Sequence, residues 1–150
     1  MPQSLTQLAV HLVFSNRNRE PFLDASIRPQ VHGYLSAVVR NLESPWVVAG
    51  GVADHVHLLF ELPKTRIPTE VVAVVKRESS KFVKTLSPGL ESFQWQRGYG
   101  MFAVSPPHRN RVEAYIRNQE EHHRKRTFQE EYRAMLEQAG ITYDERYVWD

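Results

Sequence analysis

Residues 52–62 read Val-Ala-Asp-His55-Val56-His57-Leu-Leu-Phe-Glu-Leu, with two histidines one residue apart in an otherwise apolar stretch. Alternate side chains of a strand point to opposite faces, so His55 and His57 project together. Val56, Leu58, Phe60 and Leu62 then project the other way, which reads as core. Imidazoles at this spacing on a stiff strand can converge on one metal ion with little freedom left to lose. A second polar constellation follows in Arg111-Val-Glu-Ala-Tyr115-Ile-Arg-Asn118-Gln119-Glu-Glu-His122-His123. On a helix, Tyr115, Asn118, Gln119 and His122 share one face. A core stripe would be apolar at those positions. A phenol, two amides and an imidazole imply a polar neighbour instead.

The two constellations can be joined. Two histidines and the Gln119 oxygen make a three-ligand cation site with open positions, as catalytic sites require. A phosphate oxygen fits such an opening, and Tyr115 lies one helical turn from Gln119. A tyrosine attacks phosphorus as phenolate and leaves a phosphotyrosine link, while the metal offsets the charge that develops. Each residue also has a plainer use. A core histidine is commonly hydrogen-bonded structure, most tyrosines bury a ring and wet the hydroxyl, and a lone glutamine is usually surface. His122 is either a supporting group or a solvated histidine. His11, His32 and His108 read as structural or surface residues.

The elements that must position these groups follow from patterning. Leu8, Val10, Leu12 and Phe14 alternate as a first strand. Ile27, Val31, Tyr34, Leu35, Val38 and Leu42 repeat at helical spacing, with Pro29 restricting the first turns. Pro45 to Ala49 reads as a second strand closed by Gly50-Gly51, and a hairpin leads into the histidine strand. Pro68-Thr69 opens a second helix carried by Val72, Val75, Phe82 and Leu86, and Ser87-Pro88-Gly89 ends it. Phe93 to Val104 reads as a fourth strand, with Gly98 and Gly100 marking a bulge or close approach. Asn110 with Glu113 has the spacing of a capping box opening a third helix. Thr127 with Glu130 repeats it for a fourth, which Gly140 ends. The order β-α-β-β-α-β, then two helices, is an α+β, ferredoxin-like plan: an antiparallel sheet, helices on one face, strand order 4-1-3-2. The histidine strand then lies centrally.

A length of 150 residues suits a single domain, 1–150, large enough for a real core. That domain divides into a core of about 6–125 and a C-terminal helix and tail at 127–150. There are no cysteines, hence neither disulfides nor thiolate zinc sites. No apolar run approaches a membrane span. Met1-Pro-Gln-Ser-Leu lacks the basic-then-apolar plan of a secretory signal, so a cytoplasmic location is expected. Net charge is only +2 but the pI is 9.0, and the cations cluster. Arg109, Arg111, Arg117, Arg124, Lys125 and Arg126 form one group, Arg17 and Arg19 a second, and Lys76, Arg77, Lys81 and Lys84 a third. Such patches suit phosphate backbones and equally serve as solvated faces. Trp95, Tyr99 and Phe102 either stack unpaired bases or sit in core or dimer interface, the latter favoured.

His55-Val56-His57 with Leu-Leu, the strand Gln94-Trp95-Gln-Arg97-Gly98-Tyr99-Gly100, and the helix Tyr115-Ile-Arg-Asn118-Gln119-Glu together resemble the single-tyrosine transposases of the HUH superfamily. HUH stands for His, hydrophobic residue, His. The likeness is to insertion-sequence-200-like transposases and repeat-associated tyrosine transposases, and spans roughly Leu8 to Glu121. It implies a homodimer that cleaves and rejoins single-stranded DNA with hairpin or palindromic ends, through a 5′-phosphotyrosine, using Mg²⁺ or Mn²⁺. It implies His55, His57 and Gln119 as metal ligands and Tyr115 as nucleophile, in its own subunit's site or its partner's. It points to Arg17, Arg19, Lys76, Arg77 and Arg97 as DNA-binding residues. The alternative is a domesticated hairpin- or repeat-DNA-binding or nicking protein that no longer transposes. Paired-histidine phosphoesterases need His-x-Thr/Ser motifs that are missing here, and a His-x-His-x-His nucleotide hydrolase would need a histidine where Leu59 stands. Metal storage would leave Tyr115 unexplained.

Overall fold

The alternating apolar residues of the N-terminal segment form β1 (Ala9–Ser15) in a computed structural model that describes residues 2–150. There follow α1 (Arg28–Asn41), β2 (Val47–Gly51), β3 (His55–Glu61), α2 (Pro68–Lys84), β4 (Gly100–Val104), α3 (Arg109–Arg117), α4 (Gln119–His122) and α5 (Phe128–Gln138). Pro29 and Pro68 sit in the first turns of α1 and α2, where their missing N–H costs no helical hydrogen bond. The strands form one antiparallel sheet in the order β2-β3-β1-β4, the expected plan. The histidine strand β3 is therefore central, with Gly50 of β2 and Val13 of β1 opposite His57.

One face of the sheet carries Leu12, Phe14, Val56, Leu58 and Phe60 against α1 and α2. This is the main core, and Val56, Leu58 and Phe60 are fully buried in it. The other face is covered too. Ile116 of α3 packs on Val48 and Leu59, and Phe128, Tyr132 and Leu136 of α5 pack over Val13. Helices on one face thus describes α1 and α2 only, and the C-terminal helices close the opposite face over the histidines.

Two local expectations change. The segment expected as one strand over Phe93–Val104 is a strand only at Gly100–Val104, and Trp95 adds an isolated bridge to Asn16. The Lys76 ammonium takes the carbonyls of Gln96, Arg97 and Gly98 at 2.8, 3.1 and 2.6 Å, drawing them off the ladder. Trp95 is core, its indole N–H donating to Ser79 Oγ at 2.9 Å. The Asn110/Glu113 capping box does not form. A 3-10 turn over Pro106–His108 leads directly into α3, and Glu113 pairs with Arg117 at 2.9 Å. At the second capping-box motif, Thr127 caps α5, its Oγ1 accepting from the Glu130 N–H at 3.2 Å and donating to Glu130 Oε1 at 3.1 Å, and α5 gives way to Gly140 at φ +68°.

Candidate active site

His55 and His57 project from β3 onto the face that α3, α4 and α5 cover, and both are completely buried. The helix expected to run through residues 111–123 breaks at Asn118 (φ −102°, ψ 23°), so Tyr115 belongs to α3 and Gln119 opens α4. The break keeps both on the sheet. Gln119 Oε1 lies 3.1 Å from His55 Nε2. The close approach of α3 depends on Gly50, where a Cβ would lie 2.4 Å from the Ile116 carbonyl oxygen. The chain therefore brings Tyr115, Gln119 and its own histidine pair to one place.

Two further residues stand in the centre, outside the expected set. Glu131, on the apolar face of α5 between Phe128 and Tyr132, is buried with its carboxylate amid the histidines. Its Oε1 lies 3.0 Å from His57 Nε2 and 3.2 Å from His55 Nε2. Its Oε2 accepts from the Tyr115 hydroxyl and from Gln119 Nε2 at 3.2 Å, and lies 3.2 Å from His123 Nε2. An acidic residue on the apolar face of an amphipathic helix is the sequence signal for it. His123 had only its place beside His122 to mark it.

The outer nitrogens of the imidazoles are held as well. His55 Nδ1 lies 2.7 Å from Asp54 Oδ1, His57 Nδ1 is 2.7 Å from His11 Nε2, and His123 Nδ1 is 2.8 Å from the Arg126 carbonyl. His11, expected as a structural or surface residue, supports the centre. His122 Nε2 lies 3.2 Å from Tyr115 Oη, which makes it the supporting group rather than a solvated histidine. Because Tyr115 gives its single hydrogen to Glu131, that contact is completed by His122 N–H donating to the phenol oxygen.

Burial pushes His57 down to about 4, against the opposing pull of Glu131, and pushes His11 down to about 3 with help from His57. Burial acts the same way on His55, but its hydrogen bonds to Asp54 and Glu131 prevail and its pKa is raised. Burial would raise Glu131, yet the surrounding imidazoles hold its carboxyl far below the usual range. Burial and then Glu131 hold the Tyr115 phenol well above its ordinary value, so in this arrangement it keeps its proton.

The centre opens to solvent beside the tyrosine, in a cleft of about 230 Å³ lined by Arg111, Tyr115, Asn118 and His122. Two larger clefts, of about 560 and 610 Å³, meet at Arg28 and Arg124 and pass Gln119 and His123 respectively. Of the five cations expected to bind DNA, three gather around Trp149 and two lie on α2. Arg17 and Arg97 line a cleft of about 330 Å³ with Trp149, and Arg19 lies over the Trp149 ring. Arg77 pairs with Glu78 at 3.0 Å, and Lys76 is committed to its three carbonyls.

The family described as transposase IS200 like matches residues 4–119 of this chain. Among solved structures, the chain resembles a candidate transposase from Deinococcus radiodurans R1, at 21% identity and a TM-score of 0.59 over 79% of this chain and 98% of that one. It also resembles a REP-associated tyrosine transposase bound to a REP hairpin, at 16% identity and a TM-score of 0.54 over 79% of this chain and 70% of that one. At these identities the likeness is one of fold. No curated protein matches the chain significantly.

Proposed function

The chain belongs to the IS200-like transposase family, and from that premise we propose that it nicks and rejoins single-stranded DNA through a 5′-phosphotyrosine on Tyr115. The observation that carries this reading is the meeting of the Tyr115 hydroxyl, Gln119 and the buried His55/His57 pair around one carboxylate. The REP hairpin held by one solved relative supports hairpin-ended DNA as the substrate. The proposed assembly is a cytoplasmic homodimer in which each chain uses its own tyrosine. No helix among the described residues is long and apolar enough to cross a membrane.

The donor set fits a divalent cation. Inward-facing imidazole nitrogens with outer nitrogens hydrogen-bonded to carboxylate, imidazole or carbonyl are the arrangement ligating histidines adopt. His55, His57 and Gln119 would hold Mg²⁺ or Mn²⁺, which when bound would polarise a phosphoryl oxygen and offset its developing charge. The chain's own residues supply the rest. Tyr115 Oη attacks phosphorus, the bond to the 3′ oxygen breaks, and the 5′ phosphate stays on Tyr115. Tyr115 Oη loses its proton to solvent as its bond to phosphorus forms, His122 donating to the phenol oxygen, and the leaving 3′ oxygen takes up a proton from solvent. A 3′-hydroxyl attacking the phosphotyrosine reverses these transfers and rejoins the strand, so no ATP is needed. Arg111 beside Tyr115 is placed for a phosphate. Arg17, Arg19 and Arg97 make a proposed second contact, where Trp149 offers a face for an unpaired base. Arg77 is proposed for the DNA face of α2, and Lys76 for ordering the segment beside it.

The test is incubation with single-stranded hairpin DNA and Mn²⁺, followed by a denaturing gel. A covalent protein–DNA band that disappears in Tyr115→Phe is expected. An undiminished band in that variant, or no band with any element-end or repeat hairpin, overturns the reading. Salt-dependent hairpin binding without a band, unaffected by His55→Ala, would identify the domesticated DNA-binding protein instead.

A further inference from the structure

His55, His57, His123 and Glu131 each offer a ligand atom, and these atoms all lie within 4.8 Å of one another. Hydrogen-bond bookkeeping shows what such a cluster lacks. The Asp54 carboxylate and the Arg126 carbonyl only accept, so His55 and His123 carry their hydrogens on Nδ1. In the neutral form that a metal ligand must take, their Nε2 lone pairs face Glu131 oxygens at 3.2 Å, and His55 Nε2 also faces Gln119 Oε1 at 3.1 Å. His57 Nε2 approaches the same carboxylate at 3.0 Å, and its own Nδ1 can donate to His11. In that form acceptors face acceptors among buried side chains, that of Glu131 only 1% exposed and those of His55 and His57 not at all. A single cation at the meeting point satisfies all four groups at once.

We propose that the metal site is a three-histidine, one-carboxylate centre, in which His123 and Glu131 from the C-terminal segment join His55 and His57 and select a first-row transition ion over Mg²⁺. This rests on the metal-dependent reading above and extends its ligand set. Three imidazole nitrogens suit Zn²⁺ and the other later first-row ions, and the carboxylate oxygen admits Mn²⁺ as well. Mg²⁺ demands octahedral oxygen ligands and keeps several waters, whereas three of the four donors here are imidazole nitrogens. The division of labour within the carboxylate fits the same assignment. Oε1 faces the strand histidines, and Oε2 faces Tyr115 and Gln119. Glu131 thereby ties the nucleophile to the cation site, and α5 is part of the centre rather than an appendage to it.

Calorimetric titration of chelator-treated full-length protein with MnCl₂, ZnCl₂ and MgCl₂ alone, with no DNA present, tests the assignment. Wild type is expected to take one Mn²⁺ or Zn²⁺ per chain, with Mg²⁺ at least about tenfold weaker, and Glu131→Gln and His123→Gln to lose more than about 100-fold in affinity, beyond the range of outer-shell losses. Circular dichroism of the metal-free variants identifies any that fail to fold, in which case the other decides. If both variants bind Mn²⁺ and Zn²⁺ as tightly as wild type while His57→Ala binds neither, the extended ligand set is wrong and the metal reading stands. If wild type binds no divalent ion, both are wrong. Mg²⁺ binding as tightly as Mn²⁺ overturns the selectivity.

Discussion

Gly50→Ala tests whether the seating of α3 on the sheet controls the chemistry. Gly50 pairs with His57 across β2 and β3, and an added Cβ would lie 2.4 Å from Ile116 O and 2.7 Å from Ile116 Cγ2. The nearer obstacle is backbone, so α3 must retreat about 1 Å to restore ordinary contact, a displacement on the scale that costs about 10²-fold in rate. Overpacking of this kind costs about 1–3 kcal/mol. In a chain of this length each kcal/mol lowers the melting temperature by about 2–4 °C. The retreat carries Tyr115 and Gln119 away from histidines that β3 holds fixed. Single-turnover adduct formation on hairpin DNA with Mn²⁺ should therefore slow about 100-fold, at a temperature where the variant remains folded. The control is Gly33→Ala on α1, where a Cβ meets nothing within 4 Å. It should stabilise by about 0.5–1 kcal/mol and leave the rate alone. A cooperatively folded Gly50→Ala protein that forms adduct at the wild-type rate would refute the reasoning.

Since one chain brings Tyr115 to its own histidines, a mixture of Tyr115→Phe and His57→Ala proteins should form no adduct, and recovery of adduct would mean assembly across subunits. Burial, aided by Arg28, pushes His32 down to about 4 from an ordinary 6.5, so the unfolded chain binds the proton first. Its contribution is complete above about 6.5 and is lost as pH falls toward 4, so the wild-type advantage over His32→Gln in urea unfolding should shrink over that window; a pH-independent difference would refute this. Lys76→Met strands three carbonyls and should cost about 1–3 kcal/mol, with no change in the salt dependence of hairpin binding. A shallower salt slope at unchanged stability would make Lys76 a phosphate contact instead.

The strands were legible from short-range periodicity, their order from the β-α-β-β-α-β succession, and the meeting of Tyr115, Gln119 and the histidine pair from their polar faces together with the family resemblance. A strand with period two fixes which face His55 and His57 share, and Gly50 leaves room for the helix that faces them. The contribution of α5 was legible only in part. Thr127 and Glu130 mark its start and Phe128, Tyr132 and Leu136 its apolar stripe, but which sheet face the stripe covers is a long-range matter. Glu131 sits inside that stripe, where an unpaired carboxylate would be costly. Such a residue signals a buried partner without naming it. The break at Asn118 carries no comparable mark, since Tyr-x-x-x-Gln has the same spacing in a continuous helix. Lys76, expected at DNA, shows what spacing leaves out, since its ammonium meets three carbonyls of its own chain.

The central claim is that Tyr115 takes up a DNA 5′ phosphate at a centre built on His55 and His57. Mass spectrometry of peptides recovered after reaction with a single-stranded hairpin and Mn²⁺ tests it most directly. The account predicts a 5′-linked nucleotide on the peptide containing Tyr115, and none from His57→Ala protein. A nucleotide on another residue, a 3′ linkage, or an unchanged yield from His57→Ala would contradict it.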